Sequence, residues 1–198
     1  MIHTLYSGGA QGADTIFAMC AKDRGDEVYH FSFPGHKCSN VGGIIILDEG
    51  DLNKYTEELV LAGKVLGKSY ARKAPEHARF KYIRNLLARN AWQVFGSDKG
   101  TFKPSEAVYA VGNLGINKLI VEGGTGWAVA LACHQTDIPI YVFDLKSNVW
   151  HIWVEDKFHP AQEPSPPSGT YTGIGSRKLT DAGIEAIGKL YGIEEMMK

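Results

Sequence analysis

Apolar residues in this chain come in short runs that alternate with stretches of helical spacing, and most runs end in a glycine, proline or polar turn. Ile2 to Tyr6 predicts a strand, followed by a helix from about Thr15 to Lys22. Val28 to Phe33 predicts a second strand, closed by Pro34 and Gly35, and Ile44 to Leu47 is a further short apolar run. Asp51 offers an N-cap for a helix that stops near Gly67. Pro75 suits the first turn of a long helix to about Phe95. Ala107 to Val111 and Leu119 to Val121 read as buried strands, Trp127 to His134 as a helix, and Ile138 to Phe143 as a strand. Val149 to Glu155 pairs back on that strand through Ser147-Asn148. Alternation of this kind predicts an α/β fold with a mostly parallel sheet.

Four of the eight prolines lie between Pro160 and Gly169, which reads as an extended connector. Beyond it, Tyr171 to Arg177 forms a strand-to-turn unit, and Thr180 or Asp181 caps a last helix ending at Gly192. About thirty residues cannot bury a core of their own. The expected organisation is therefore one domain over 1–198: a main body (1–159), the connector (160–169) and a docked strand-helix unit (170–198).

Two glycine-rich turns stand out: Ser7-Gly8-Gly9-Ala10-Gln11-Gly12-Ala13-Asp14 and Glu122-Gly123-Gly124-Thr125-Gly126. Each follows an apolar run and opens a helical stretch. Such a turn aims bare N–H groups and the positive end of a helix at one spot, which suits a phosphate. Two of them suggest a ligand held from two sides.

The bulk numbers narrow the partners. The chain has 198 residues, 44% of them hydrophobic, and a net charge of −1, so it has no global pull toward nucleic acid or membrane. Three cysteines without a C-x-x-C pair fit reduced thiols, and the expected location is the cytoplasm. No basic, apolar leader is read at the N-terminus, and no apolar run approaches the roughly 20 residues that cross a bilayer.

Ser-Gly-Gly-Ala-x-Gly-Ala-Asp (7–14), Ala-Arg-Asn-x-x-Gln-Val (88–94), Gly-Gly-Thr-Gly-x-Ala (123–128) and Thr-Gly-Ile-Gly-Ser-Arg (172–177) together span nearly the whole chain. As a set they resemble the SLOG superfamily, which includes the DNA-processing protein A family and the Lonely Guy phosphoribohydrolases and occurs in phages and bacteria. The resemblance implies a Rossmann-like three-layer fold that binds nucleotide-type ligands. The last motif comes first in those relatives, so the order here resembles a circular permutation. On that reading Met1 lies near the end of the last helix, and Gly173 faces the Gly8 turn. Lonely Guy proteins carry Gly-Gly-x-Gly-Thr-x-x-Glu. Here Trp127 stands for that Thr and Ala130 for that Glu, so the carboxylate expected for hydrolysis is missing.

Candidate ligand contacts come from each turn: Ser7, Gly8, Gly9, Gly12 and Asp14; Glu122, Gly123, Gly124, Thr125 and Gly126; Gly173, Gly175, Ser176 and Arg177. Glu122 either holds a ribose hydroxyl or is a solvated rim carboxylate. On the long helix Phe80, Ile83, Leu86, Leu87, Ala91 and Val94 share a face with Asn90 in its middle. An unpaired buried amide costs about 1–3 kcal/mol, so Asn90 should bond backbone or ligand. Arg84 lies at the edge of that face, in reach of a phosphate, whereas Arg89 points toward solvent or a partner subunit. His36 follows a strand and could line the pocket. His36, Cys38 and His30 match no zinc spacing, so no metal is expected, nor any cofactor. Trp150 and Trp153 either stack on a base or pack, and Trp92 is a candidate for an exposed contact in a homodimer or larger assembly.

Three functions compete. The first holds a nucleotide-derived molecule, ADP-ribose-like or a cyclic signalling nucleotide, as a phage protein that sequesters an immune signal would. The second is a nucleotide N-glycoside hydrolase, which needs a carboxylate near the anomeric carbon; Asp14, Glu122 and Asp144 are the candidates. The third is single-stranded DNA binding along Lys68, Arg72, Lys73, Arg79, Lys81, Arg84 and Arg89, which the net charge disfavours.

Overall fold

Eight strands align in one sheet in the order β3-β2-β1-β8-β4-β5-β6-β7 in the computed structural model, which describes residues 2–70, 77–97 and 101–193. The strands are β1 (Thr4–Ser7), β2 (Glu27–Ser32), β3 (Gly43–Ile46), β4 (Ala107–Gly112), β5 (Ile140–Asp144), β6 (Val149–Val154), β7 (Lys157–Pro160) and β8 (Thr170–Gly175). Pairing is parallel from β3 through to β5 and antiparallel for β6 and β7. The β5–β6 turn runs through Ser147-Asn148, as expected, with Asn148 at φ 54°. The central strands β4 and β8 are buried almost throughout, so they read as continuous apolar runs.

Helices α1 (Ala13–Arg24) and α6 (Asp181–Leu190) cover one face through a core around Phe17, Tyr171, Ile187 and Leu190. Helices α2 (Glu49–Lys54), α3 (Thr56–Val65), α4 (Ala78–Phe95) and α5 (Thr125–Gln135) cover the other. These are the three layers of a Rossmann-like fold. The strand-helix unit after the connector docks as expected: β8 wedges between β1 and β4. Buried polar groups fasten it. Tyr171 donates its hydroxyl to Asp26 Oδ2 at 2.6 Å and lies 3.0 Å from the Tyr191 hydroxyl, and Arg24 pairs with the same Asp26. Thr180 caps α6 by accepting from the Gly183 N–H.

Four expectations need correction. Asp51 is not the N-cap: Asp48 is, in a reciprocal box where Asp51 N–H donates to Asp48 Oδ1 at 2.8 Å and Asp48 N–H to Asp51 Oδ2 at 3.1 Å. The helix expected there is two, broken at Tyr55, whose hydroxyl reaches the Gly96 carbonyl at 2.9 Å. Leu119 to Val121 is not a strand, because β4 already has β8 and β5 on its two edges; only a bridge between Leu114 and Val121 forms. Pro160 is not loop but the end of β7, an outer strand where a missing N–H is tolerated. Pro75, Met1 and the residues after 193 lie outside the described residues, so the α4 start signal and the placing of Met1 fall there too.

Candidate functional site

Topology places the site. β1 continues into α1 on one face, and β4 leads to α5 on the other. The connections therefore diverge on either side of β8 and β4, leaving a crevice at the carboxyl ends of those strands, the usual ligand position in open α/β sheets. A cleft of about 840 Å³ opens there. All three glycine turns reach it: Ala10 and Asp14 from the first, Glu122, Gly123, Gly124 and Thr125 from the second, Ile174, Gly175, Ser176 and Arg177 from the third. Asn90 and Arg89 of α4 complete the floor; Ile83, Leu86, Leu87 and Trp127 give an apolar wall. Lys68, Ser69 and Asn113 also line it.

The second turn is the open one. A Cβ added at Gly123 or Gly124 would meet nothing within 4 Å. Gly123 has φ 76°, which glycine alone adopts freely, and Gly124 precedes α5 with no side-chain cap on the helix. The first-turn N–H groups of α5 and its dipole therefore face the cleft. Arg177 and Lys68, both exposed, add positive charge on its walls. Thr125 lies in the cleft, whereas Gly126 packs against the Val121 carbonyl and serves the helix–loop contact. Glu122 sits on the rim, half-exposed, paired with Lys146 at 2.8 Å.

The first turn is filled by the protein itself. A Cβ on Gly8 would come 2.6 Å from the Arg89 guanidinium. One on Gly9 would strike the Cys38 thiol and the His30 ring, and one on Gly12 the backbone of Ser176 and Arg177. Ser7 is fully buried, and its hydroxyl accepts from the Gly9 N–H at 3.3 Å. Gly8, Gly9 and Gly12 thus make room for packing, and Ser7 holds the turn's shape; none of the four lines the cleft. Gly173 does not face the Gly8 turn either. It lies under α1, where a Cβ would be 2.8 Å from Leu5 and Phe17. Gly175 does meet the first turn, packing on Ala13.

Asp14 joins the turns. Its Oδ2 accepts from the Ala10 N–H at 3.2 Å and its Oδ1 from the Gly175 N–H at 3.1 Å. Burial pushes its carboxyl above the usual range, and the Arg89 guanidinium and the backbone N–H groups pull the other way. Arg89 corrects the helical wheel: it is 5% exposed, not turned to solvent or a partner. Residues 88–94 of α4 are all buried, since the helix packs on the sheet, α3 and α5 at once, so a wheel with one wet side misplaces it. The Arg89 guanidinium donates to the Gly8 carbonyl and, at 3.1 Å, to His36 Nε2. His36 Nδ1 is then left to donate to Ser32 Oγ at 2.9 Å. Burial, then Arg89 and Arg177, hold the His36 pKa down at about 4, so the ring is neutral. His36 lies behind the first turn, not in the cleft.

The remaining candidates settle plainly. Asn90 Nδ2 donates to the Gly124 carbonyl at 3.2 Å and Asn90 Oδ1 accepts from Gln93, so the amide ties α4 to the open turn. Arg84 is buried against Asn53, away from the cleft. Asp144 is also away from it: its two oxygens accept from Leu114 N–H, Lys146 N–H, Ser147 N–H and Ser147 Oγ, which holds its pKa down against burial. Trp92 is buried and donates to the Asp51 carbonyl at 2.9 Å, so it is no exposed contact. Trp150 packs on Phe143, and Trp153 on Phe158. Sequence reasoning missed Ser69 and Asn113, for which no motif gave a signal, and it named Lys68 only as part of a basic stripe for DNA and not as a contact in this cleft. Among the described residues no three His, Cys, Asp or Glu side chains are placed to hold a metal ion, and no helix is long and apolar enough to cross a membrane.

Compared with known proteins, the chain matches no family model, no curated protein and no solved structure.

Proposed function

We propose that this chain holds a nucleotide-derived small molecule, ADP-ribose-like or a cyclic signalling nucleotide, in the cleft between β8 and β4. The observation that carries the reading is the open second turn, with free space over Gly123 and Gly124 and the cations Arg177 and Lys68 on the same cleft. A phosphate fits that end. The wall of Ile83, Leu86, Leu87 and Trp127 suits a base.

Holding, rather than cleaving, is favoured by the state of the carboxylates. Asp14 is committed to two backbone amides, Asp144 to four donors outside the cleft, and Glu122 to Lys146. A protein that sequesters a signal needs the cradle without a free carboxylate pair. The basic stripe is interrupted, because Arg84 and Arg89 are buried. Arg72 and Lys73 lie outside the described residues.

Native mass spectrometry of freshly purified protein, followed by calorimetry with AMP, ADP-ribose and cyclic dinucleotides, tests the reading. Retention of one such molecule and its release unchanged are expected. Absence of binding to every member of the panel refutes it, and free base in the mixture converts it to the hydrolase.

A further inference from the structure

Apolar surface is also left open on the loop that leads from β4 to α5. Ile116 is 100% exposed, more than any other large hydrophobic among the described residues, and Leu119 beside it is 46% exposed. The loop that carries them is braced. Leu114 and Val121 bridge at its neck, Gly115 N–H donates to the Ile120 carbonyl at 2.9 Å, and Lys118 N–H donates to the Gly115 carbonyl at 2.8 Å. Phe158 N–H of β7 donates to the Lys118 carbonyl at 2.9 Å. A solvated turn tip is ordinarily polar. An isoleucine held out on a fixed loop suits burial by a partner, because little order remains to be imposed on binding. The loop is a ridge with a groove on each side, and Ile116, Asn117 and Leu119 line both grooves. The two grooves differ in charge. One, of about 590 Å³, is lined by Lys118 and Lys157 and by no carboxylate. The other, of about 560 Å³, is lined by Glu122 and Asp156 and by no lysine or arginine, over the apolar side chains of Val65, Ile120 and Trp153.

We infer that this face binds a second copy of the chain about a two-fold axis parallel to the ridge, with Ile116 of each copy seated in the acidic groove of the other. A two-fold contact uses one surface twice, so knob and socket must lie on the same face of one chain. Here they adjoin, since Ile116 itself lines the groove that would receive its counterpart. The charges obey the same rule. Rotation about that axis reverses the two sides of the ridge, which carries the acidic side of one copy over the lysine side of the other. A surface that is basic on one flank and acidic on the other thus complements itself. Ile116 and Trp153 make the buried centre of such a contact, and Lys157 and Asp156 its polar rim. Side chains, and not a continued sheet, make the join, because Lys157 and Pro160 guard the outer edge of β7. The contact does not depend on the ligand reading.

Sedimentation velocity of the full chain, without ligand and across about a hundredfold range of concentration, tests this. The wild type is expected to pass from the mass of one chain to that of two as concentration rises. Ile116→Asp alters a side chain that stands wholly in water in the single chain, so the fold keeps. It should raise the dissociation constant about a hundredfold or more, because each copy loses its anchor. Lys157→Glu sets like charges against each other at the rim and should raise it about tenfold. Asp156→Asn removes a charge while keeping a residue at ease with the φ of 58° there, and should raise it by a few fold. An unchanged melt of each variant at single-chain concentration confirms the fold. A wild type that stays single at every concentration overturns the inference. Growth beyond two chains shows an open head-to-tail contact and overturns the two-fold arrangement. Undiminished pairing in Ile116→Asp, or in both charge variants, places the contact elsewhere and overturns it as well.

Discussion

Replacing Gly124 with aspartate puts the binding reading at greatest risk. Gly124 has φ −69° and ψ −35°, ordinary for any residue, and its Cβ direction is empty space. The fold should therefore accept the change. The new carboxylate stands at the start of α5, which has no side-chain cap, and a carboxylate there is worth about 0.5–2 kcal/mol to the helix. The same carboxylate would face the phosphate. Two negative charges about 4 to 8 Å apart repel by about 2–4 kcal/mol at an effective dielectric near 20. Affinity for AMP or ADP-ribose should then fall about 30- to 1000-fold, while the thermal midpoint stays level or rises. Gly124→Ala, which adds bulk without charge, should bind within a few fold of the wild type. Calorimetry and a melt on the same preparations read both quantities. A folded Gly124→Asp protein with undiminished affinity would place the ligand elsewhere and end the proposal.

Asn90→Leu removes the donor to the Gly124 carbonyl and leaves Gln93 Nε2 without its acceptor, so it should cost about 1–3 kcal/mol in urea unfolding; a neutral result would mean α4 does not hold the open turn. Tyr171→Phe takes the 2.6 Å hydroxyl from buried Asp26 and should cost about 1–2 kcal/mol, read by the same melt; no loss would show that Arg24 alone satisfies Asp26. His36 has its pKa lowered from 6.5 to about 4, so the unfolded chain takes up that proton first as pH falls. Its contribution is complete above pH 6.5 and is lost between there and about pH 4, by about 1 kcal/mol after allowance for the ring's partial exposure to water. His36→Gln should flatten that part of the stability profile, and an equally steep profile in the variant would assign it to another group.

The layers of the fold were legible because hydrophobic runs and turn residues are local. The strands β1, β2, β4, β5, β6 and β8 and the helices α1, α4, α5 and α6 sit where periodicity puts them, within a few residues. Legibility failed where an outcome depends on neighbours in space. Leu119–Val121 has strand composition but finds no free edge, and Lys157–Pro160 has little strand character but finds one. The site followed the same division. Gly123, Gly124, Asn90 and Arg177 were readable from motif and spacing. Glycine marks a place where a side chain does not fit, and the sequence is silent on what takes the space: at Gly8 it is Arg89, at Gly124 open cleft. Arg89 itself was misread because one wheel cannot show a helix buried on several sides.

The position of β8 bears on how the protein is made. Seven strands leave the ribosome before it, yet it supplies both partners of the join between β1 and β4. Until it emerges, β3-β2-β1 and β4-β5-β6-β7 are separate ribbons with two raw edges facing each other. The nascent chain therefore carries the cleft as two unmatched halves, and the cleft is complete only in a single late step, when the last strand zips the ribbons together.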